Sequence, residues 1–195
     1  NISIDAIGHI LGSLINDQLP PKLWIIVPHE SDIPEWIDVL EFWCDSVPIL
    51  QYPADDPDTL NGLSPARTIP QQRLLTLRQW YSPQPCIVIA SVFGTVHQNI
   101  RHDDLNECML NMEVNAEYDP LQLSLQLEQM GYLASRELDA PGMFRLVGDN
   151  IHIWCVGQTE SVRLSFFDTE LEHIHRFVQG ERQEERSLSV IPARE

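Results

Sequence analysis

Short apolar runs alternate with amphipathic helical patterns through the first half of the chain, and this alternation restricts the fold more than any other feature. The apolar runs are residues 23–27, 47–50 and 86–90. Each run is preceded by a segment in which the apolar residues have helical spacing, at 3–18, 33–43 and 68–80. Strands that are apolar on both faces are typical of a parallel sheet covered by helices. The first half therefore predicts an α/β fold, a three-layer unit with a parallel sheet.

The second half changes to short strand patterns with a single helix. Four leucines between 121 and 127 alternate as in a strand, but the residues around them are helix formers. Asp119 and Pro120 supply a helix start, and Gly131 supplies an end, so we predict a helix over 119–130. Strands are predicted near 132–138, 143–147, 150–156, 161–167 and 171–177. This half predicts a small α+β domain.

The two patterns predict an insertion of one domain into another. Residues 1–111 together with 186–195 are predicted to form the α/β domain. Residues 112–185 are predicted to form the inserted α+β domain, with 187–191 returning to the first.

One strand of the second half has a functional pattern. Val162, Leu164 and Phe166 fall on one face, which the apolar side chains predict to be buried. Arg163, Ser165 and Phe167 fall on the other, and an Asp-Thr turn follows. An aromatic ring beside a guanidinium is typical of protein–protein hot spots. The pattern predicts a docking surface; the alternative is that Phe167 packs under a neighbouring loop.

Charge and hydropathy exclude several classes of protein. The formal net charge is −17, and no segment is basic, so direct DNA binding is not expected. No apolar run is long enough to span a membrane and no secretory signal is present, which predicts a cytoplasmic protein. The four cysteines form no Cys-x-x-Cys pair, so buried, reduced thiols are expected.

Nucleotide hydrolysis is also not expected. A phosphate-binding loop needs a lysine followed by serine or threonine, and the sole lysine, Lys22, follows two prolines. The sequence therefore predicts no catalytic and no cofactor-binding residues.

Two histidines and two carboxylate pairs are further candidate sites. His173 and His175 would share one strand face, a spacing that zinc and copper sites use, but no third ligand is evident in the nearby sequence. They are interpreted as ordinary strand histidines, and no metal site is predicted. The carboxylate pairs Asp103/Asp104 and Asp168/Glu170 are interpreted as turn residues whose side chains hydrogen-bond to the backbone.

Several segments together carry a family resemblance. Residues 162–172, VRLSFFDTELE, resemble a strand in the amino-terminal region of bacterial transcription-repair coupling factors, the part similar to the excinuclease protein UvrB. Further matching segments occur in the same order, at 63–65, 73–77, 131–132 and 191–195. Gly8 and Gly12 fall where UvrB has its phosphate loop, without the residues that the loop needs. The family continues beyond Glu195, so a fragment of a longer parent is expected.

The resemblance implies a function in transcription-coupled nucleotide excision repair. The chain would be a non-catalytic module that recruits the excinuclease protein UvrA through Arg163 and Phe167, which match family residues. A further family arginine is replaced by Val147, and Arg145 on the same strand face is expected to compensate for it in part. His152 replaces a family aspartate. RNA polymerase and DNA would be bound only by the full-length parent, an ATP-dependent translocase.

Two alternatives stay open from the sequence. One is a degenerate nucleotide- or DNA-processing enzyme related to UvrB. The other is a stand-alone interaction protein with a different partner.

Overall fold

The chain folds as two separate units, Asn1–Ile100 and Arg101–Glu195, each with its own secondary structure. The computed structural model describes residues 3–18, 22–45, 47–54, 68–96, 99–178 and 181–194. Helices and strands are mixed in both units, so the predicted α/β character is confirmed. None of the helices in these ranges is both long and apolar enough to cross a membrane.

The first unit contains a parallel sheet of three strands. Its elements are α1 Ile4–Gln18, β1 Lys22–Val27, α2 Ile33–Trp43, β2 Ile49–Tyr52, α3 Thr68–Tyr81 and β3 Cys86–Ser91. The sheet order is β1-β3-β2, and both pairings are parallel. Every residue of β3 is buried, as expected for a central strand with side chains packed on both faces. The composition of residues 51–62, rich in Pro, Asp and Asn, predicts a loop, but Gln51 and Tyr52 belong to β2. Residues 55–62 lie outside the described residues.

Alternate side chains of β3 belong to two different hydrophobic clusters. Ile87 and Ile89 pack with Leu40 of α2 and Ile15 of α1. Val88 and Ala90 pack in a second cluster with side chains of α3. The larger sheet of the second unit is mostly antiparallel, with one short parallel pairing between Leu133–Ala134 and Met143–Phe144. A three-layer, motor-type assignment for the whole first domain therefore remains a prediction.

Gly8 and Gly12 pack α1 closely against α2. A Cβ added at Gly8 would lie 2.5 Å from Cγ1 of Val39, and one at Gly12 would lie 2.5 Å from the Trp43 carbonyl oxygen. These approaches are shorter than any real Cβ contact, so only glycine allows the observed helix spacing. The two glycines therefore lie in a helix–helix contact and not in a phosphate loop.

The second unit contains a six-stranded sheet and a two-stranded sheet. Its elements are α4 His102–Glu107, β4 Leu110–Glu113, α5 Pro120–Gln129, β5 Leu133–Ala134, β6 Met143–Val147, β7 Asn150–Trp154, β8 Val162–Phe167, β9 Glu170–Val178, β10 Glu181–Glu185 and β11 Ser187–Val190. The large sheet has the order β10-β9-β8-β7-β6-β5, and β11 pairs antiparallel with β4. The predicted domain boundaries at 111 and 186 stay a prediction.

Two strands of the large sheet differ from the sequence-based expectation. The predicted strand 132–138 shortens to β5, two residues that pair in parallel with β6. No strand is predicted from the sequence between 177 and 187, but Glu181–Glu185 forms β10, an edge strand on β9. Its sequence, ERQEE, has no apolar residue, so hydrophobic periodicity could not reveal it. Charged side chains of this kind are common on exposed sheet edges.

Helix α5 covers one face of the large sheet. The Asp119 side chain accepts a hydrogen bond from the Leu121 amide at 2.8 Å, and Pro120 occupies the first turn, as predicted. Gly131 follows the helix with φ of 88°. Tyr132 is buried beneath it, and its hydroxyl donates to the Ile191 carbonyl at 2.9 Å. Burial raises the pKa of this phenol well above its ordinary value.

Substituting Gly12 tests the packing of α1 on α2. We expect Gly12→Ala to lower the free energy of unfolding of the first unit by about 1–3 kcal/mol, because the new methyl group displaces backbone. Ser13→Ala, on the exposed side of the same helix, is the control and should not lower it. Four of the five tryptophans lie in the first unit, so tryptophan fluorescence during urea unfolding reports the change. Equal stability of the two variants would contradict the packing role.

Candidate protein-docking face

Alternate side chains of strand β8 face the core and the outer side of the sheet. Val162, Leu164 and Phe166 are buried, as the sequence predicted. A two-residue turn at 168–169 leads into β9, and Asp168 there has φ of 56°. Aspartate tolerates this left-handed conformation better than most residues. The predicted hairpin is therefore present.

A β-bulge in β9 lets the apolar residues of β8 and of β9 both face the core. Ser165 pairs with His173, whereas the next residue, Phe166, pairs with Leu171, so Glu172 has no partner across the ladder. The extra residue allows Leu171 and Ile174 both to be buried although they are three residues apart. It also turns the histidines of β9 towards the outer face.

The outer face carries a row of polar and charged residues that cross five strands. Arg145 of β6 lies opposite His152 of β7, which lies opposite Arg163 of β8. Arg163 lies opposite His175 of β9, and His175 lies opposite Glu184 of β10. Neighbours in such a row have Cβ atoms about 4.5–5.5 Å apart. We call the part of this face formed by Arg145, His152, Arg163, Ser165 and Phe167 the docking face.

Phe167 is exposed on the docking face. Its side chain is 71% exposed, whereas that of the preceding Phe166 is 7% exposed. A large aromatic ring with this exposure is not covered by a loop of its own unit. The exposure of the ring agrees with the docking-surface interpretation and not with packing under a neighbouring loop. A binding role for the ring remains a prediction.

Arg163 is held in place by Asn150. Its Nε and Nη2 atoms donate to the Asn150 Oδ1 atom at 3.2 and 3.1 Å. The guanidinium is therefore oriented before any partner binds, which lowers the entropy cost of using it. Sequence reasoning did not identify Asn150. The turn at Gly148 and Asp149 could have indicated Asn150, because it places Val147 opposite Asn150. This pairing sets the register of β7, the strand next to Arg163.

Arg145 is tied to the edge of the sheet. Its Nη1 atom donates to the Arg136 carbonyl oxygen at 3.2 Å. Its Nε is a buried side-chain atom without a hydrogen-bond partner, the one such atom found within the described residues. Val147, two residues along β6, is 54% exposed. The expected compensation for Val147 by Arg145 stays a prediction.

An open groove of about 540 Å³ lies beside Arg145. Side chains of α5 and β6 line it, among them Ser124, Glu128, Leu146 and Val147. The sheet edge is open here because β5 pairs with only the first two residues of β6. The groove therefore extends the docking face around the edge of the sheet.

Two arginines surround His152 on the docking face. Burial lowers the pKa of this imidazole, and the charges of Arg145 and Arg163 lower the pKa further. Its side chain is therefore neutral near pH 7. Positive charge on this face is carried by the arginines, in a chain whose formal net charge is −17.

The described residues place one group of possible metal ligands on the same sheet. His173, His175 and Glu184 each offer a ligand atom, and all three atoms lie within 4.8 Å of one another. The Nδ1 atom of His173 lies 2.7 Å from the Glu184 Oε1 atom. The sequence indicated the two histidines but not the glutamate, because no strand is predicted where β10 forms.

The remaining sequence candidates have structural roles. Asp103 and Asp104 lie in the first turn of α4, not in a turn between elements, and Asp104 pairs with Arg101 at 2.8 Å. Of the cysteines, those at 44, 86 and 155 are buried and free, as expected, but Cys108 is exposed.

Comparison with known proteins finds matches that include the second unit. Residues 110–195 match the family model described as the UvrB interaction domain. The UvrABC system protein B of Thermotoga petrophila is 29% identical over 106 residues, which are 54% of this chain. The same protein of Mycoplasma pneumoniae is 31% identical over 109 residues, 55% of this chain.

A second kind of relative covers more of the chain. The transcription-repair-coupling factor of Bacillus subtilis is 25% identical over 150 residues, which are 75% of this chain. The predicted resemblance to the UvrB-like region of such factors is therefore confirmed. The matched part is 16% of the two UvrABC proteins and 13% of the coupling factor, so the chain spans only a small part of the length of these relatives.

The depressed pKa of His152 predicts how acid affects stability. The folded protein holds this imidazole neutral, whereas the unfolded chain takes up a proton below about pH 6.5. Protonation therefore favours the unfolded state, and the stability that the neutral imidazole contributes is lost as the pH falls below that value. We expect His152→Gln to lose less free energy of unfolding between pH 7 and pH 5 than the wild type.

The measurement is urea unfolding of both proteins at the two pH values, followed by circular dichroism. His29→Gln, an exposed substitution in the first unit, is the control. Some acid sensitivity should remain in His152→Gln, because burial also lowers the pKa of His175. An unchanged pH dependence in His152→Gln would contradict the assignment.

Proposed function

We propose that this chain is a non-catalytic interaction module that recruits the excinuclease protein UvrA in transcription-coupled nucleotide excision repair. One observation carries the proposal: Phe167 is 71% exposed on the same sheet face as the oriented Arg163, within a segment that matches the UvrB interaction domain model. The resemblance to the coupling factors implies that an arginine and a phenylalanine at these positions bind UvrA.

The charges of the docking face favour an acidic surface on the partner. Arg145 and Arg163 flank a neutral His152, so this row of the face carries two fixed positive charges. Arginine binds carboxylates through charge-assisted hydrogen bonds. Phe167 supplies apolar area beside them, and the combination matches the composition of interface hot spots.

Val147 distinguishes this chain from the family pattern. Where the family has an arginine, an aliphatic side chain is 54% exposed at the end of β6. Loss of a buried charged contact costs about 2–5 kcal/mol of binding free energy. In our proposal the partner contact depends mainly on Arg163 and Phe167, with support from Arg145 and a lower affinity than the family arginine would give.

The longer parent supplies the remaining activities in this proposal. It would be an ATP-dependent DNA translocase that binds DNA and RNA polymerase in the cytoplasm through segments outside this chain. The first domain, residues 1–111 with 186–195, would be a motor-type α/β domain that has lost its phosphate loop. The inserted domain, 112–185, would then restrain or release its contact with UvrA as the motor acts.

Titration of purified UvrA tests the docking face. We expect Phe167→Ala and Arg163→Ala each to weaken binding by about 2 kcal/mol or more, roughly 30-fold in Kd, as for hot-spot residues. Phe42→Ala is a matched control, because Phe42 belongs to the first unit and is 76% exposed. Arg101→Ala is the control for charge, since the Arg101 side chain is 79% exposed. Equal Kd values for the four variants, or no binding by the wild type, would remove the proposed partner contact.

Restoring the family arginine gives the opposite prediction. We expect Val147→Arg to tighten binding of UvrA, because the new guanidinium extends the positive surface of the docking face. The gain should shrink as salt is raised, since exposed charges are screened. Val92→Arg, at an exposed valine of the first unit, is the control for added charge. A gain of the same size in the control would show a general charge effect and contradict the specific role.

A further inference from the structure

The hairpin of β9 and β10 brings three metal-ligating side chains together on the outer face of the sheet. His173 and His175 are two residues apart on β9 and point to the same side. Glu184 lies directly opposite His175 on β10. The ring centroids of the two histidines are 5.1 Å apart, and the His173 Nδ1 atom is already 2.7 Å from the carboxylate.

We propose that His173, His175 and Glu184 bind one divalent transition-metal ion, of the class to which zinc belongs. Two imidazole nitrogens and one carboxylate oxygen are a common donor set for zinc, with a position left for water. The soft thiolates and the many oxygen ligands that other classes of metal ion prefer are missing from this set.

The distances require only small side-chain movements. Zinc binds nitrogen and carboxylate oxygen at about 2.0–2.2 Å, so its ligand atoms lie within about 4 Å of one another. The three ligand atoms here lie within 4.8 Å. The side chains of His173 and Glu184 are 47% and 62% exposed, so both can rotate towards a shared ion, while the buried His175 stays fixed.

The contacts within the cluster suit a cation. The Glu184 carboxylate lies opposite His175 in the ladder and within hydrogen-bond distance of His173. Imidazole nitrogens and carboxylate oxygens bind metal ions in their deprotonated forms.

Arg182 is the group that opposes binding. Its Nη2 atom contacts the His175 ring, at Nδ1 (3.3 Å) and at Nε2. Since Arg182 is an exposed residue of the edge strand, its side chain can move into solvent when an ion arrives. A positive charge at this position still lowers the affinity for a cation. The structure therefore predicts that removing this guanidinium strengthens metal binding.

Isothermal titration of the full chain with zinc chloride tests the site, and the protein must carry no histidine tag. A Cys108→Ser background removes the exposed thiol, which would otherwise compete for zinc. We expect one zinc ion per chain, no saturable binding of magnesium, and a higher melting temperature with zinc, because the ion binds only the folded hairpin.

Single substitutions assign the ligands. His173→Ala and Glu184→Gln change exposed side chains, so the fold should persist, and each should abolish saturable zinc binding. His102→Ala is the control at an exposed histidine elsewhere and should bind zinc normally. Arg182→Ala should bind zinc more tightly than the wild type.

A spectroscopic measurement separates these ligands from nonspecific binding. Cobalt in place of zinc should give visible ligand-field bands in the wild type and lose them in His173→Ala and in Glu184→Gln. The absence of zinc binding in the wild type would overturn the proposal. So would a stoichiometry and affinity that stay the same in His173→Ala and Glu184→Gln. UvrA takes no part in these measurements, so the metal site stands or fails independently of the proposed recruitment.

Discussion

The register of the β7, β8 and β9 pairings is the constraint on which the proposed docking face depends. A slip of one residue would exchange the two faces of β8, turning Phe167 inward and Leu164 outward. Burial of Val162 and Leu164 prevents that slip, because both are fully enclosed by the core. The exposed position of Phe167 is thus a consequence of apolar burial on the opposite face.

A turn and a β-bulge also help to fix this register. Asp168 turns β8 into β9, and the bulge at Glu172 lets the apolar residues of β9 stay in phase with the core. Asn150 then orients Arg163 from the neighbouring strand. The docking face and the cluster of His173, His175 and Glu184 are therefore parts of one rigid sheet, and such sites are held more accurately than sites on loops.

Glycine in the first unit illustrates how the same residue type serves different purposes. Phosphate loops use glycine so that backbone amides can approach an anion. In this chain Gly8 and Gly12 instead allow α2 to approach α1, with Trp43 where added Cβ atoms would lie. Buried apolar side chains hold the parallel sheet and its helices together.

The sequence by itself determined the helices and strands whose apolar residues are regularly spaced or whose ends carry capping or turn residues. The parallel strands of the first unit, the helix capped by Asp119 and the buried face of β8 followed from apolar spacing, capping residues and turn residues. Tertiary structure alone decided what the polar segments do. The charged strand β10 has no hydrophobic pattern, so its pairing with β9 could be seen only in three dimensions. That pairing brings Glu184 to the two histidines, because a ladder joins residues that the sequence separates, and no local signal encodes the contact.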